Sequence, residues 1–97
     1  MNLTINPSVL QKIIQKHNVT EEEVFECFYN RTHEFLTDER EEHKTSPITQ
    51  WFMSQTDTGR DLKVCFVKIG TELSLKTCFP TENENTKQMY YKRATEL

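Results

Sequence analysis

The densest group of side chains able to move protons or hold a phosphate is Asp38-Glu39-Arg40-Glu41-Glu42-His43. Imidazoles and carboxylates serve as general acids and bases, and a guanidinium forks onto phosphate oxygens. Acidic groups packed this closely repel an anion, so the segment meets a phosphate only if Arg40 and His43 are the groups turned toward it. The run has neither HxxxH nor HExxH spacing, which speaks against a helical metal site. A solvated surface loop accounts for the same composition.

Two further groups carry charge of the other sign. Arg60, Lys63, Lys68 and Lys76 fall on or beside the best strand patterns, where basic side chains on an open sheet face would meet an anionic backbone. Ordinary outward-facing strand positions explain them equally well. Tyr90-Tyr91-Lys92-Arg93 mixes ring surface with positive charge, as single-strand binders do, although one of the two tyrosines is expected to fill the core. His17 ends a helix pattern, where a cationic ring complements the helix dipole. Trp51-Phe52 places one ring in the core and the other on the opposite strand face. The sequence has no Gly-rich phosphate loop and no GxSxG elbow.

These residues must be positioned by short elements. Asn6-Pro7-Ser8 starts a helix, Val9, Leu10, Ile13 and Ile14 recur at helical spacing, and Asn18 stops it. Thr20 with Glu23 is a capping-box pair opening a second helix, whose apolar face is Val24, Phe25 and Phe28. Alternation then predicts a weak strand over residues 33–36 and a clearer one over Thr49–Gln55. The turn Thr56-Asp57-Thr58-Gly59 leads into the strongest strand, Asp61–Ile69, which should be central and form a hairpin with the following strand around Leu73, Leu75 and Phe79. Pro80 should end that strand, and Thr81 with Glu84 repeats the capping-box spacing for a last helix reaching Leu97. The expected fold class is α+β: two N-terminal helices, an antiparallel sheet of about four strands and a C-terminal helix, in one domain over residues 1–97. Helices on one face would leave the other partly open to a ligand, an RNA strand or a partner peptide.

Composition narrows the function classes. Ninety-seven residues bury one core, and 35% hydrophobic with 28% charged residues fits a globular chain. A formal charge of −3 argues against a protein that coats nucleic acid without specificity. Acid gathers in residues 21–26 and 34–42, whereas Arg60, Lys63, Lys68, Lys76, Lys87, Lys92 and Arg93 lie in the second half. Cys27, Cys65 and Cys78 are odd in number and lack CxxC spacing, which suits reduced thiols and a cytoplasmic location. No apolar run is long enough for a membrane span, and Met1-Asn2-Leu3-Thr4 does not open like a signal peptide, so no membrane partner is expected.

The stretch Lys16-His17-Asn18-Val19-Thr20-Glu21-Glu22-Glu23-Val24-Phe25 resembles the KHGV-x-x-x-E-A-x-x-x-F opening of BrnT-type toxins, which belong to the RelE-like superfamily. The order helix, helix, sheet, helix is similar to that superfamily's fold. Asp38-x-Arg40-Glu41-x-His43, Pro47-x-Thr49-x-Trp51-Phe52 and Gly59-Arg60-x-Leu62-Lys63-Val64 look closer to a side branch of small bacterial proteins, some labelled ADP-ribosyl-dinitrogen-reductase hydrolase. The chain is too short for an enzyme of that description, which is large, all-helical and metal-dependent.

The resemblance implies a toxin of a toxin-antitoxin system, cleaving mRNA without metal or cofactor. It implies a small ribbon-helix-helix antitoxin as partner, and mRNA or the ribosome as target. In such chemistry the 2′-OH attacks the adjacent phosphorus and leaves a cyclic phosphate. His43 or Glu41 would be the general base or acid, Arg40, Arg60 or Lys63 the cation facing the phosphorane, and Tyr91 a residue that positions or stacks a base. The family's Gly-Glu-x-Arg and Ile-Ser-Ala-Arg segments are replaced here by Pro47-Ile48-Thr49-Gln50-Trp51 and Lys76-Thr77-Cys78-Phe79. Two other functions fit the same fold: a non-catalytic protein-interaction module, and a toxin whose target is not RNA.

Overall fold

The computed structural model describes residues 2–39 and 47–97. The first helix, α1 (Pro7–His17), begins where Asn6 Oδ1 accepts the Ser8 N–H at 2.9 Å. It ends at Asn18, whose φ of 52° is the left-handed conformation an asparagine tolerates, with its N–H on the Ile14 carbonyl. The second, α2 (Glu21–Asn30), carries the expected capping box: Thr20 Oγ1 accepts the Glu23 N–H, and Glu23 Oε1 accepts the Thr20 N–H. Glu21, Glu22 and Glu23 in its first turn complement the positive end of the dipole.

The strands are β1 (Leu3–Thr4), β2 (Leu36–Thr37), β3 (Thr49–Gln55), β4 (Asp61–Ile69) and β5 (Glu72–Pro80), followed by the helix α3 (Glu84–Arg93). They form one sheet in the order β1-β5-β4-β3-β2. All neighbours are antiparallel except β1, which lies parallel to β5 with Leu3 opposite Leu73. The fold is therefore α+β, with β4 at the centre of the sheet as its alternation predicts. Leu62, Val64 and Phe66 of β4 are buried. They share the main core with Phe52, Leu75 and Cys78 of the sheet and with Ile13, Val24, Cys27 and Phe28 of the two helices. Phe28 meets Phe52 edge to face at 4.8 Å between centroids.

Four expectations need correction. The sheet has five strands; β1 was unreadable because two residues show no alternation and owe their place to the neighbouring β5. The strand expected over 33–36 shrinks to Leu36–Thr37, and His33 makes only an isolated bridge to Glu96. The third helix is capped by Asn83, whose side chain accepts the Asn85 and Thr86 N–H groups, and not by Thr81 with Glu84. It stops at Arg93, after which residues 94–97 run beside residues 32–34, with the Glu34 N–H on the Thr95 carbonyl and the Leu97 N–H on the Thr32 carbonyl.

The third helix also lies on the sheet face expected to stay open. Strand residues alternate sides, so Phe52 faces α2 while Trp51 and Met53 face the other way. Tyr90 of α3 lies 5.4 Å from the Trp51 ring and is fully buried. Its hydroxyl donates to the Glu34 carbonyl at 2.9 Å. Burial pushes the Tyr90 phenol up to about 12, so it stays a neutral donor.

Candidate functional site

Beyond α3, the second sheet face is built from Thr49, Trp51, Lys63, Cys65 and Phe79, which the register sets side by side across three strands. A bulge sharpens it: Cys65 pairs with Thr77 but Phe66 pairs with Leu75, leaving Lys76 as the extra residue of β5. Lys76 Nζ then reaches across β4 to donate to Thr49 Oγ1 at 3.2 Å. Beside it the Lys63 ammonium sits 4.3 Å from the centre of the Trp51 ring and 5.9 Å from that of Phe79. A cation over an aromatic face is attracted by the ring quadrupole. The two residues are near neighbours because Lys63 lies opposite Met53, two positions from Trp51 on β3.

Where α3 leans over this face there is a cleft of about 440 Å³. Trp51, Lys63 and Cys65 form its floor, Met89 and Arg93 one wall, and Leu36, Thr37, Asp38 and Glu39 the other. Arg93 is half exposed and stands 3.7 Å from Glu39. The Asp38 N–H donates to the Thr49 carbonyl at 2.8 Å, so the chain departs and returns at this rim.

The residues nominated from sequence fall in different places. Lys63 is in the cleft. Arg60 is not: its guanidinium donates to the carbonyls of His17 and Asn18 at 3.0 and 2.7 Å and pairs with Glu23 at 3.1 Å. Tyr91 lines a separate pocket with Asn30, Ser54 and Asp57, and its ring meets His33 edge to face at 4.8 Å. Burial raises the Tyr91 phenol pKa, and the charge of Asp61 adds to this. Arg40, Glu41 and His43 lie outside the described residues. His17, beyond ending α1, stacks at a tilt on Phe79, 5.6 Å away.

Met89 and Cys65 are cleft residues that the sequence did not single out. The place of Met89 in the cleft depends on α3 covering the second face. Cys65 alternates with the buried Val64 and Phe66, which puts it on the outer side of β4. The other two thiols are buried; burial, reinforced by Glu23, pushes Cys27 up to about 12, and burial likewise raises Cys78. Among the described residues no three His, Cys, Asp or Glu side chains gather to hold a metal ion, and no helix is long and apolar enough to cross a membrane.

No protein-family model matches the chain, and no curated protein matches it.

Proposed function

We propose that this protein is a small cytoplasmic toxin of the RelE-like kind that takes single-stranded mRNA into the cleft between α3 and the sheet and cuts it without a metal. The observation that carries the reading is the placement of Lys63 and Arg93 in one cleft floored by Trp51. Two cations and a ring are what a phosphate backbone and an adjoining base require. The resemblance to BrnT-type toxins supplies the reaction. A base removes the 2′-OH proton, O2′ bonds to the adjacent phosphorus, and the bond from phosphorus to O5′ breaks. A proton is delivered to the leaving oxygen. Glu41 and His43 follow Glu39 in the chain and are the groups proposed for those two transfers, with Arg40, Lys63 and Arg93 as candidate cations.

The test is induced expression in a bacterial host of wild type beside Lys63→Ala, Arg40→Ala and His43→Ala, following growth and mRNA integrity together. Growth arrest with mRNA loss for wild type, relieved in folded variants, is the expected result. Harmless expression with intact RNA overturns it. A ribbon-helix-helix antitoxin is the proposed partner, and its co-expression should restore growth.

One observation favours a second reading, a binding module without catalysis. The cleft wall carries Asp38 and Glu39, and Glu39 already meets Arg93. Mixed charge of this kind suits a protein partner as well as a phosphate. Under that reading purified protein captures a partner polypeptide through this cleft and leaves RNA intact.

A further inference from the structure

The pocket beside Tyr91 has a chemistry distinct from that of the Lys63 cleft. It encloses about 380 Å³ between the end of α2, the end of β3 and α3. Among its described lining residues there is one carboxylate, Asp57, and no cation. Its polar groups are committed in a particular direction. The Asn30 amide nitrogen donates to the Gln55 carbonyl and to Asp57 Oδ1, each at 2.9 Å, so both its hydrogens are in use and its own oxygen is left to accept. Gln55 Nε2 donates to Asp61. The bond from Asn30 uses Asp57 Oδ1, and among the described residues Oδ2 accepts none. The pocket therefore presents acceptors and lacks an anion-binding charge.

Ser54 adds an independent observation. It lines this pocket, is only 4% exposed, and its hydroxyl has no hydrogen-bond partner among the described residues. A buried polar atom without a partner is costly, and native proteins rarely keep one without a use. Tyr91 supplies a ring wall with a hydroxyl at its tip. An occupant that satisfies these groups is planar, presents several N–H donors and carries no negative charge where it enters.

We propose that this pocket binds a guanine base. The guanine Watson–Crick edge offers N1–H and the 2-amino group side by side, the pattern a carboxylate accepts in a bidentate way. Uracil places its single N–H between two carbonyls, which would face the acceptors of Asn30 and Asp57. Ser54 can donate to a ring nitrogen or carbonyl once a turn about χ1 brings its buried Oγ to the pocket surface, and Tyr91 stacks against the base. The inference rests on the RNA reading for the source of the base, and it would give the cleavage reaction a preference for guanine near the scissile phosphate.

The experiment uses the full chain and free nucleosides. Guanosine and uridine are titrated separately into isotope-labelled protein, and the backbone amide shifts of Ser54, Gln55 and Asp57 are followed. Guanosine should shift them saturably, with uridine weaker by about tenfold, the equivalent of one lost hydrogen-bonded donor. Ser54→Ala and Asp57→Asn, each checked for a folded spectrum, should weaken guanosine binding by a similar factor. Equal response to the two nucleosides, no shift at these amides, or unchanged affinity in Ser54→Ala overturns the proposal. An RNA oligonucleotide titrated in parallel separates the two readings. Lys63-dependent RNA binding without guanosine binding removes the base pocket alone. Guanosine binding without RNA binding or cleavage supports the pocket and removes the toxin reading.

Discussion

Arg60, at the start of the long β-hairpin, is clamped to Glu23 of α2 while donating to the carbonyl groups of His17 and Asn18. One side chain thus ties the sheet to the junction between α1 and α2. It also satisfies carbonyls left over where α1 ends. Glu23 is at the same time the reciprocal member of the α2 capping box, so the clamp and the cap share one carboxylate.

Removing this clamp should cost stability directly. Arg60→Ala is expected to lose about 1–3 kcal/mol, the range for charge-assisted hydrogen bonds at a partly exposed site. Arg60→Lys should recover only part of that, because an ammonium cannot reach two carbonyls and a carboxylate with a planar fork. Urea midpoints for the three proteins measure it. A midpoint for Arg60→Ala equal to wild type would mean that the clamp contributes nothing, and would return Arg60 to the list of groups available to a phosphate.

The legibility of this fold follows from where its signals are local. Thr20 with Glu23, Asn18, and the alternation of Asp61–Ile69 are each complete within a few residues, and each formed as the sequence predicts. The elements misread are those whose partners are remote. β1 exists because Leu3 meets Leu73, and His33 bridges Glu96 at the far end of the chain. The side on which α3 packs was likewise hidden, since its apolar stripe is compatible with either sheet face. The cleft inherits that ambiguity. Lys63 was identifiable as an outward strand residue, but its meeting with Arg93 and Met89 depends on the placement of α3. Nothing in the spacing of Arg60 distinguished a clamp from a phosphate ligand.

Asp61 and Lys87 give the protein an acid-sensitive contact between β4 and α3. Their charged groups lie 3.0 Å apart, and Gln55 also donates to Asp61. Burial alone would raise the Asp61 pKa, but hydrogen bonds from Lys87 and Gln55 and the Lys87 charge outweigh it and the net shift is downward. A depressed carboxylate contributes stability that is present above its unfolded pKa, about 3.9, and is lost as pH falls through the folded value. Wild type should therefore lose stability below about pH 4 more steeply than Asp61→Asn. Parallel slopes in urea melts from pH 3 to pH 7 would count against the contact.

Tyr90 is the anchor of α3, and its hydroxyl is the polar link to the segment after α2. Tyr90→Phe keeps the packing on Trp51 but leaves the Glu34 carbonyl short of a donor. The expected loss is about 1–2 kcal/mol in chemical denaturation. Proteolysis should reveal where that loss is felt: cleavage near residues 94–97 should rise, because those residues hydrogen-bond to the same segment. An unchanged denaturation midpoint would show that water replaces the phenol at no cost.

Thiol chemistry can report on the cleft independently of any assay for toxicity. Cys27 and Cys78 are fully buried, with pKa values raised by that burial, so neither offers an accessible thiolate at neutral pH. Cys65 is half-buried and lines the cleft with Lys63 and Trp51. A thiol reagent at pH 8 should therefore label Cys65 first, and the other two only after unfolding. If RNA enters the cleft, a saturating single-stranded oligonucleotide should slow the labelling of Cys65 by about tenfold or more, while a Lys63→Ala variant should lose that protection. Rapid labelling of Cys27 or Cys78 in native protein would contradict the core arrangement. Labelling of Cys65 that ignores RNA would mean that the oligonucleotide, if bound at all, lies elsewhere on the surface.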